Sequence, residues 1–173
     1  MSLDTKIFNN INHLPHGKVL NALALAVHYL TYYGWVFIIP VLYNYFSGNA
    51  SKRLLAKELL LSMILAGSIN DFILQKWIAR PRPFSVLPDA ITVGKLPSEY
   101  SFPSGHTAMA FAFATTYILF MPKSLVSYLF LVFAVGIGIG RIYIGFHYPS
   151  DVLAGSILGI ICAFLSMFIY KVI

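Results

Sequence analysis

The sequence predicts an all-α protein, a polytopic membrane helix bundle of about five transmembrane helices plus an amino-terminal interfacial helix. Three observations carry this expectation. Of 173 residues, 58% are hydrophobic and only 10% are charged, too apolar a composition for a soluble domain of this size. Apolar runs long enough to cross a bilayer alternate with polar segments rich in Pro, Gly and Asn. The cations gather at the borders of those runs rather than being spread along the chain. Residues 1–173 therefore read as one integral-membrane domain.

The formal net charge is +6, which raises nucleic acid as a partner. No basic run exceeds Lys52-Arg53, however, and Lys76, Arg80, Arg82 and Arg141 belong to one polar constellation. An anionic lipid headgroup in a bilayer is the better partner, and no nucleic acid is expected. Cys162 is the single cysteine, so an intramolecular disulfide is excluded. Its apolar surroundings mark it as a packing residue.

Taken in order, residues 1–17 place Ile7, Ile11 and Leu14 at helical spacing among Asn9, Asn10, Asn12, His13 and His16. This pattern predicts a short helix lying in the membrane interface. Residues 19–46 form the first span, rich in Tyr29, Tyr32, Tyr33, Trp35, Tyr43 and Tyr45. At about 1.5 Å per residue this run exceeds a ~30 Å core, which one tilted or kinked helix accommodates, with Pro40 as the kink. The loop 47–57 carries Lys52, Arg53 and Lys57 and is placed in the cytoplasm by the positive-inside rule.

The second span, 59–77, runs outward and delivers Arg80 and Arg82 to the external face. Asn70, Asp71 and Gln75 interrupt its last turns. Residues 78–102 contain Pro81, Pro83, Pro88 and Pro97, too broken to cross and long enough to be functional. The third span (105–121) returns inward and the fourth (125–140) goes out. In the fourth, Gly136-x-Gly138-x-Gly140 reads as close helix packing, since no strand precedes it. The loop 141–149 leads to the fifth span, 152–170, with Lys171 inside.

This topology brings Arg82, His106, Arg141 and His147 to one membrane face from three separate loops. Ser104 precedes the uncharged run 108–121 as an N-cap, so helix-start N–H groups lie beside Gly105 and His106, a place to hold an anion. Breaking a phosphate ester or anhydride requires gripping the charged oxygens, attacking phosphorus in line and protonating the leaving oxygen. Two histidines and a fork of arginines have the chemistry for all three. His147 and Asp151, four residues apart, share a face if a helix begins there, and the carboxylate then holds one imidazole nitrogen.

Arg-Pro at 80–83, Pro-Ser-Gly-His at 103–106 and the series Arg141, His147, Asp151 together resemble the three-part signature of the type 2 phosphatidic acid phosphatase family. The resemblance spans Lys76 to Asp151. It implies that His147 is the nucleophile that becomes phosphorylated, that Asp151 orients it, and that His106 is the acid that protonates the leaving group. It assigns phosphate binding to Arg82, Arg141, Ser104 and Gly105. The scheme needs no metal or other cofactor.

Two positions depart from the family pattern. The family's lysine stands seven residues before Arg82, where this chain has Gln75, and Lys76 is the candidate replacement. The residue before Arg141 is commonly Ser but is Gly140 here, which removes a hydroxyl donor. Arg80 is expected to be a surface or headgroup contact.

A site at the outer mouth of a bundle suits a phosphate whose tail stays in the membrane. The short five-span form is similar to bacitracin-resistance-type undecaprenyl-diphosphatases, to small lipid A phosphatases and to phosphatidylglycerophosphate phosphatases. The resemblance implies hydrolysis of a lipid phosphate or diphosphate, foremost undecaprenyl diphosphate, at the periplasmic or extracellular face of the cytoplasmic membrane. Phosphatidic acid is a further substrate candidate, and a lipid-binding membrane protein is the non-enzymatic reading. The oligomeric state is left open.

Overall fold

The computed structural model describes residues 1–32, 34–47 and 49–172, with side chains up to residue 170. Tyr33 and the Lys171 side chain, both part of the expectations above, lie outside the described residues. Nine α-helices and one π-helical turn follow one another among the described residues, with no strand: α1 (Leu3–Asn12), α2 (Lys18–Tyr32), α3 (Trp35–Phe46), α4 (Ala50–Ser68), the π turn (Ile69–Leu74), α5 (Gln75–Ile78), α6 (Pro83–Val86), α7 (Gly105–Phe120), α8 (Leu125–Tyr143) and α9 (Pro149–Val172).

Among the described residues, three stretches are long and apolar enough to cross a membrane: Ala50–Val86, Leu125–Tyr143 and Pro149–Tyr170. The expected first span is a pair, α2 and α3, inclined at 52°. The interruption is not at Pro40, which sits inside α3, but before Trp35, where Gly34 has φ 68. The basic segment expected as a loop at 47–57 is largely helical. Asn49 caps α4 by accepting from the Ser51 N–H, so Lys52, Arg53 and Lys57 ride on its first turns.

α7 is the centre of the bundle, packed against α9, α4 and α8. Its alanines Ala108, Ala110, Ala112 and Ala114 are fully or almost fully buried. Opposite them, a Cβ on Gly159 would run into the Ala108 carbonyl and the Ala112 nitrogen, and one on Gly155 into the Ser104 carbonyl. Small residues on both helices thus let the backbones touch, the packing expected where lipid supplies little hydrophobic drive between helices. One consequence reaches the site: the Ser104 N–H donates to the Asp151 carbonyl at 3.0 Å, locking the starts of α7 and α9 together. On the other side, the Phe113 ring packs at a tilt against Phe37 (4.9 Å) and Tyr117 (5.3 Å) and edge-on against Phe130 (4.9 Å). Two polar pairs cross between helices in this core, Asn44 with the Tyr117 hydroxyl at 2.6 Å and Thr116 with Ser62 at 3.0 Å.

α1 is more than an interfacial helix. Phe8 and Asn12 are wholly buried, whereas Ile7 and Leu14 are exposed. The Asn12 amide donates to the Ile91 and Tyr143 carbonyls and accepts from the Ile91 N–H, all within 2.9 Å. It therefore clamps the long loop between α6 and α7 to the end of α8. His13 and His16 have structural partners, the Asp89 carbonyl for the first and Asn21 with the Asn12 carbonyl for the second.

Candidate active site

Arg82 is held extended, at φ −76 and ψ 155, the conformation that the following proline enforces. Pro83 then opens α6 at a position where its missing N–H costs nothing. The turn aims the guanidinium inward, where Nε donates to the Glu99 carbonyl at 2.6 Å and Nη1 to the Phe146 carbonyl at 3.0 Å. Nη1 also stands 3.2 Å from His147 Nε2.

His147 lies in the turn between α8 and α9 and is 2% exposed. Its Nδ1 is 2.8 Å from the Ser101 carbonyl. A carbonyl only accepts, so Nδ1 carries the proton and Nε2 presents its lone pair beside the Arg82 donor. Burial first, then the Arg141 and Arg82 charges, hold this imidazole well below its ordinary value of 6.5, against the opposing pull of the Ser101 bond. It is neutral at neutral pH.

The expected bond from Asp151 to this ring is not made. Asp151 Oδ2 is 3.7 Å from Nδ1, beyond hydrogen-bond range. The carboxylate instead accepts from the Tyr148 N–H at 2.8 Å and from Arg80 Nη1 at 2.5 Å. The reason is geometric: Tyr148 and Asp151 sit at the start of α9, where free N–H groups attract a carboxylate, while the Ser101 carbonyl already occupies Nδ1. Arg80 is accordingly no surface contact. It bridges Asp151 and Asp4 (2.7 Å) and lies over the Tyr148 ring at 3.9 Å. Asp4 also accepts from the Ser150 N–H (2.9 Å) and hydroxyl (2.6 Å). Burial alone would raise its carboxyl, but Arg80 and Ser150 outweigh that and hold it below the usual range.

His106 stands on the first turn of α7, and its Nε2 is buried without a hydrogen-bond partner. Its ring centroid is 5.5 Å from that of His28 and 5.8 Å from that of Tyr32, both from α2. Arg141 ends α8, where a cation complements the helix dipole. It is 3% exposed, donates through Nη1 to His28 Nδ1, and leaves Nε unpartnered.

One cavity of about 580 Å³ gathers these groups. Arg82, Gly105, His106, Arg141 and His147 line it, as do His28, Tyr32, Asp71, Gln75, Lys95 and Glu99. Ser104 stands at the N-cap position of α7 but makes no side-chain capping bond; it is fully buried, and its hydroxyl accepts from the Thr107 hydroxyl at 2.9 Å behind the cavity wall. Lys76 is corrected more sharply. It is exposed, with Nζ over the Phe72 ring at 5.5 Å, and does not line the cavity. The π turn explains this: Gln75 N–H bonds back to the Asn70 carbonyl, five residues earlier, and the added residue turns Gln75 inward and Lys76 outward. The lysine that does reach the wall is Lys95, from the long loop, which sequence spacing gave no reason to select. His28 was also missed, although an ionisable side chain in an apolar helix is a signal for function.

The chain is similar to known proteins over most of its length. The PAP2 superfamily profile matches residues 55–172, a stretch that holds Arg82, His106, Arg141, His147 and Asp151. Undecaprenyl-diphosphatase BcrC of Bacillus subtilis is 30% identical, over 94% of this chain and 82% of its own length. LpxE of Aquifex aeolicus superposes with a TM-score of 0.82 at 31% identity, covering 96% of each chain. The transmembrane PAP2-type phosphatidylglycerolphosphate phosphatase of Bacillus subtilis gives 0.74 at 26% identity, over 98% of this chain and 85% of that one. With the profile covering well over half of the chain and the solved relatives superposing along nearly all of it, the chain belongs to the PAP2 superfamily, as an integral membrane protein of a phosphatase family.

Proposed function

We propose that the protein hydrolyses a lipid phosphate or diphosphate without a metal, through a phosphohistidine at His147. The observation that carries this is the pair of imidazole nitrogens on one cavity wall. His147 Nε2 is deprotonated beside Arg82, and His106 Nε2 is buried with nothing bonded to it. In this reading Arg82, Arg141 and the helix-start N–H groups near Gly105 hold the phosphoryl oxygens, with Lys95 at the rim. His147 Nε2 attacks phosphorus. As the bond to the leaving oxygen breaks, His106 gives that oxygen a proton. The same imidazole then takes a proton from the water that attacks phosphohistidine, releasing phosphate and restoring both histidines. Asp151 supports the nucleophile indirectly, by fixing Arg80 and the turn that carries His147.

The preferred substrate is undecaprenyl diphosphate, cleaved to undecaprenyl phosphate. The relative named for that activity supports it, as does a cavity at one end of the bundle. The reading includes five spans, counting α2–α3 as one and α7 as another, in the cytoplasmic membrane with the cavity on its outer face. Residues 1–173 act as a single domain.

The test is phosphate release by purified protein in excess chelator. Undecaprenyl diphosphate, lipid A, phosphatidylglycerophosphate and phosphatidic acid are offered in parallel, with His147→Ala as control. Release from the diphosphate that vanishes in the variant supports the reading. Preference for another lipid moves the substrate and keeps the mechanism, and release that survives in the variant contradicts it.

A further inference from the structure

A second cavity, of about 270 Å³, lies between α2 and α8 and shares two lining residues with the first, His28 and Arg141. Its walls are aliphatic, with Leu20, Leu23 and Val27 of α2 facing Ile137 and Ile139 of α8. Leu23 is 58% exposed and Ile139 49%, so the cavity is a groove open sideways to the surroundings of the bundle. The room comes from Gly136 and Gly140, one turn apart on α8. A Cβ on either meets no atom within 4 Å. Gly138 between them is different, since a Cβ there would come within 2.7 Å of Val152 Cγ1. Only Gly138 fulfils the close-packing role expected for the three glycines.

The two cavities adjoin at Arg141, 3% exposed and with Nε unpartnered, and at His28, to which Arg141 Nη1 donates. Toward one side Arg141 faces the histidines and Arg82. Toward the other begins a wall of hydrocarbon. A ligand that fills both is anionic at Arg141 and apolar along α2 and α8.

We infer that the α2–α8 groove holds the part of a single substrate hydrocarbon chain nearest the phosphate, which selects single-chain lipids of the prenyl kind. This rests on the lipid-phosphatase reading above. At roughly 30 Å³ per water-sized group, the groove takes about nine groups of chain, on the order of two isoprene units. A two-chain lipid finds one groove for two chains. Each methylene withdrawn from water adds to binding, so the gain grows with chain length until the groove is full.

The experiment compares phosphate release from dimethylallyl, geranyl and farnesyl diphosphates in wild type, Gly136→Leu and Leu23→Trp. The two substitutions fill the groove from opposite walls. Gly136 has open space for the new side chain and Leu23 sits at the exposed lip, so at least one variant is expected to fold, as checked by its elution as a monodisperse peak. In wild type kcat/KM is expected to rise about tenfold or more from the shortest to the longest chain. In the variants the farnesyl-to-dimethylallyl ratio should collapse toward one. An unchanged ratio in a folded variant overturns the inference and leaves the groove to bulk lipid. No release from the three prenyl diphosphates by wild type that still releases phosphate from lipid A, phosphatidylglycerophosphate or phosphatidic acid overturns the groove assignment and keeps the phosphatase reading, whereas no release from any of these lipids overturns both.

Discussion

His147 Nδ1 lies 2.8 Å from the carbonyl oxygen of Ser101, and this one bond sets which nitrogen of the nucleophile candidate faces the cavity. Ser101 precedes the Phe102-Pro103 pair that leads into α7, and its own N–H donates to the Arg80 carbonyl at 2.9 Å. The tautomer of a residue after α8 is thus fixed by backbone from the loop before α7. A main-chain acceptor cannot be removed by substitution at Ser101, so Ser101→Ala is expected to keep activity within about threefold, as read by kcat/KM.

Substitution of the two basic residues that flank the π turn and α6 should separate them. Arg82→Ala removes a bidentate donor from the cavity wall and is expected to lower kcat/KM by about a hundredfold or more. Lys76→Ala should change it by less than about twofold, because that side chain lies outside. Lys95→Ala should fall between them, with the loss mainly in KM. Equal losses for Lys76 and Arg82 in steady-state assays would contradict the placement.

Asp151→Asn should act through Arg80 rather than through the imidazole. The buried carboxylate anchors Arg80 and the Tyr148 N–H, and losing its charge is expected to cost about 2 kcal/mol of stability. Asp4→Asn, which loosens the same arginine from its other side, should lower Tm in the same direction by a smaller amount. A drop in kcat with no change in thermal melting would return the direct orienting role to Asp151.

The pH dependence follows from the sign of the His147 shift. The folded state holds the imidazole below 6.5, so the unfolded chain binds more protons and stability rises with pH through this group. Its contribution is complete above about pH 6.5 and is lost as pH falls below that. Protonation also removes the nucleophile, so the acid limb of kcat/KM should lie below pH 6.5. Arg82→Gln, by deleting one repelling charge, should move that limb upward, which a pH–rate profile checks.

His28→Ala leaves the buried Arg141 without the acceptor for its Nη1 and is expected to lower kcat/KM by about tenfold. His28→Gln, which keeps an acceptor at a similar reach, should recover part of the loss. No difference between the two variants would show that the bond between His28 and Arg141 is idle.

The helical membrane architecture was legible because it rests on composition and run length, and the convergence of Arg82, His106, Arg141 and His147 because it follows from which loops the spans bring to one face. What escaped was set by features without a local pattern. The π turn reversed the inward positions of Gln75 and Lys76, and a single added residue there leaves no mark on hydrophobic periodicity. The Ser101 carbonyl displaced Asp151 because backbone acceptors are present at every residue. Lys95 reaches the cavity through an irregular loop whose path is fixed by Asn12, distant in sequence. Arg80 looked peripheral because its partner Asp4 sits in an amino-terminal helix that was read only as lying in the membrane interface.

The most direct measurement is the detection of the covalent intermediate. Rapid quench with a lipid diphosphate labelled in its terminal phosphate, followed by peptide mapping under alkaline conditions, should find an acid-labile label on His147. That label should be absent from His147→Ala. Label on another residue, or full turnover by His147→Ala, would contradict the assignment of His147 as the group that takes the phosphoryl.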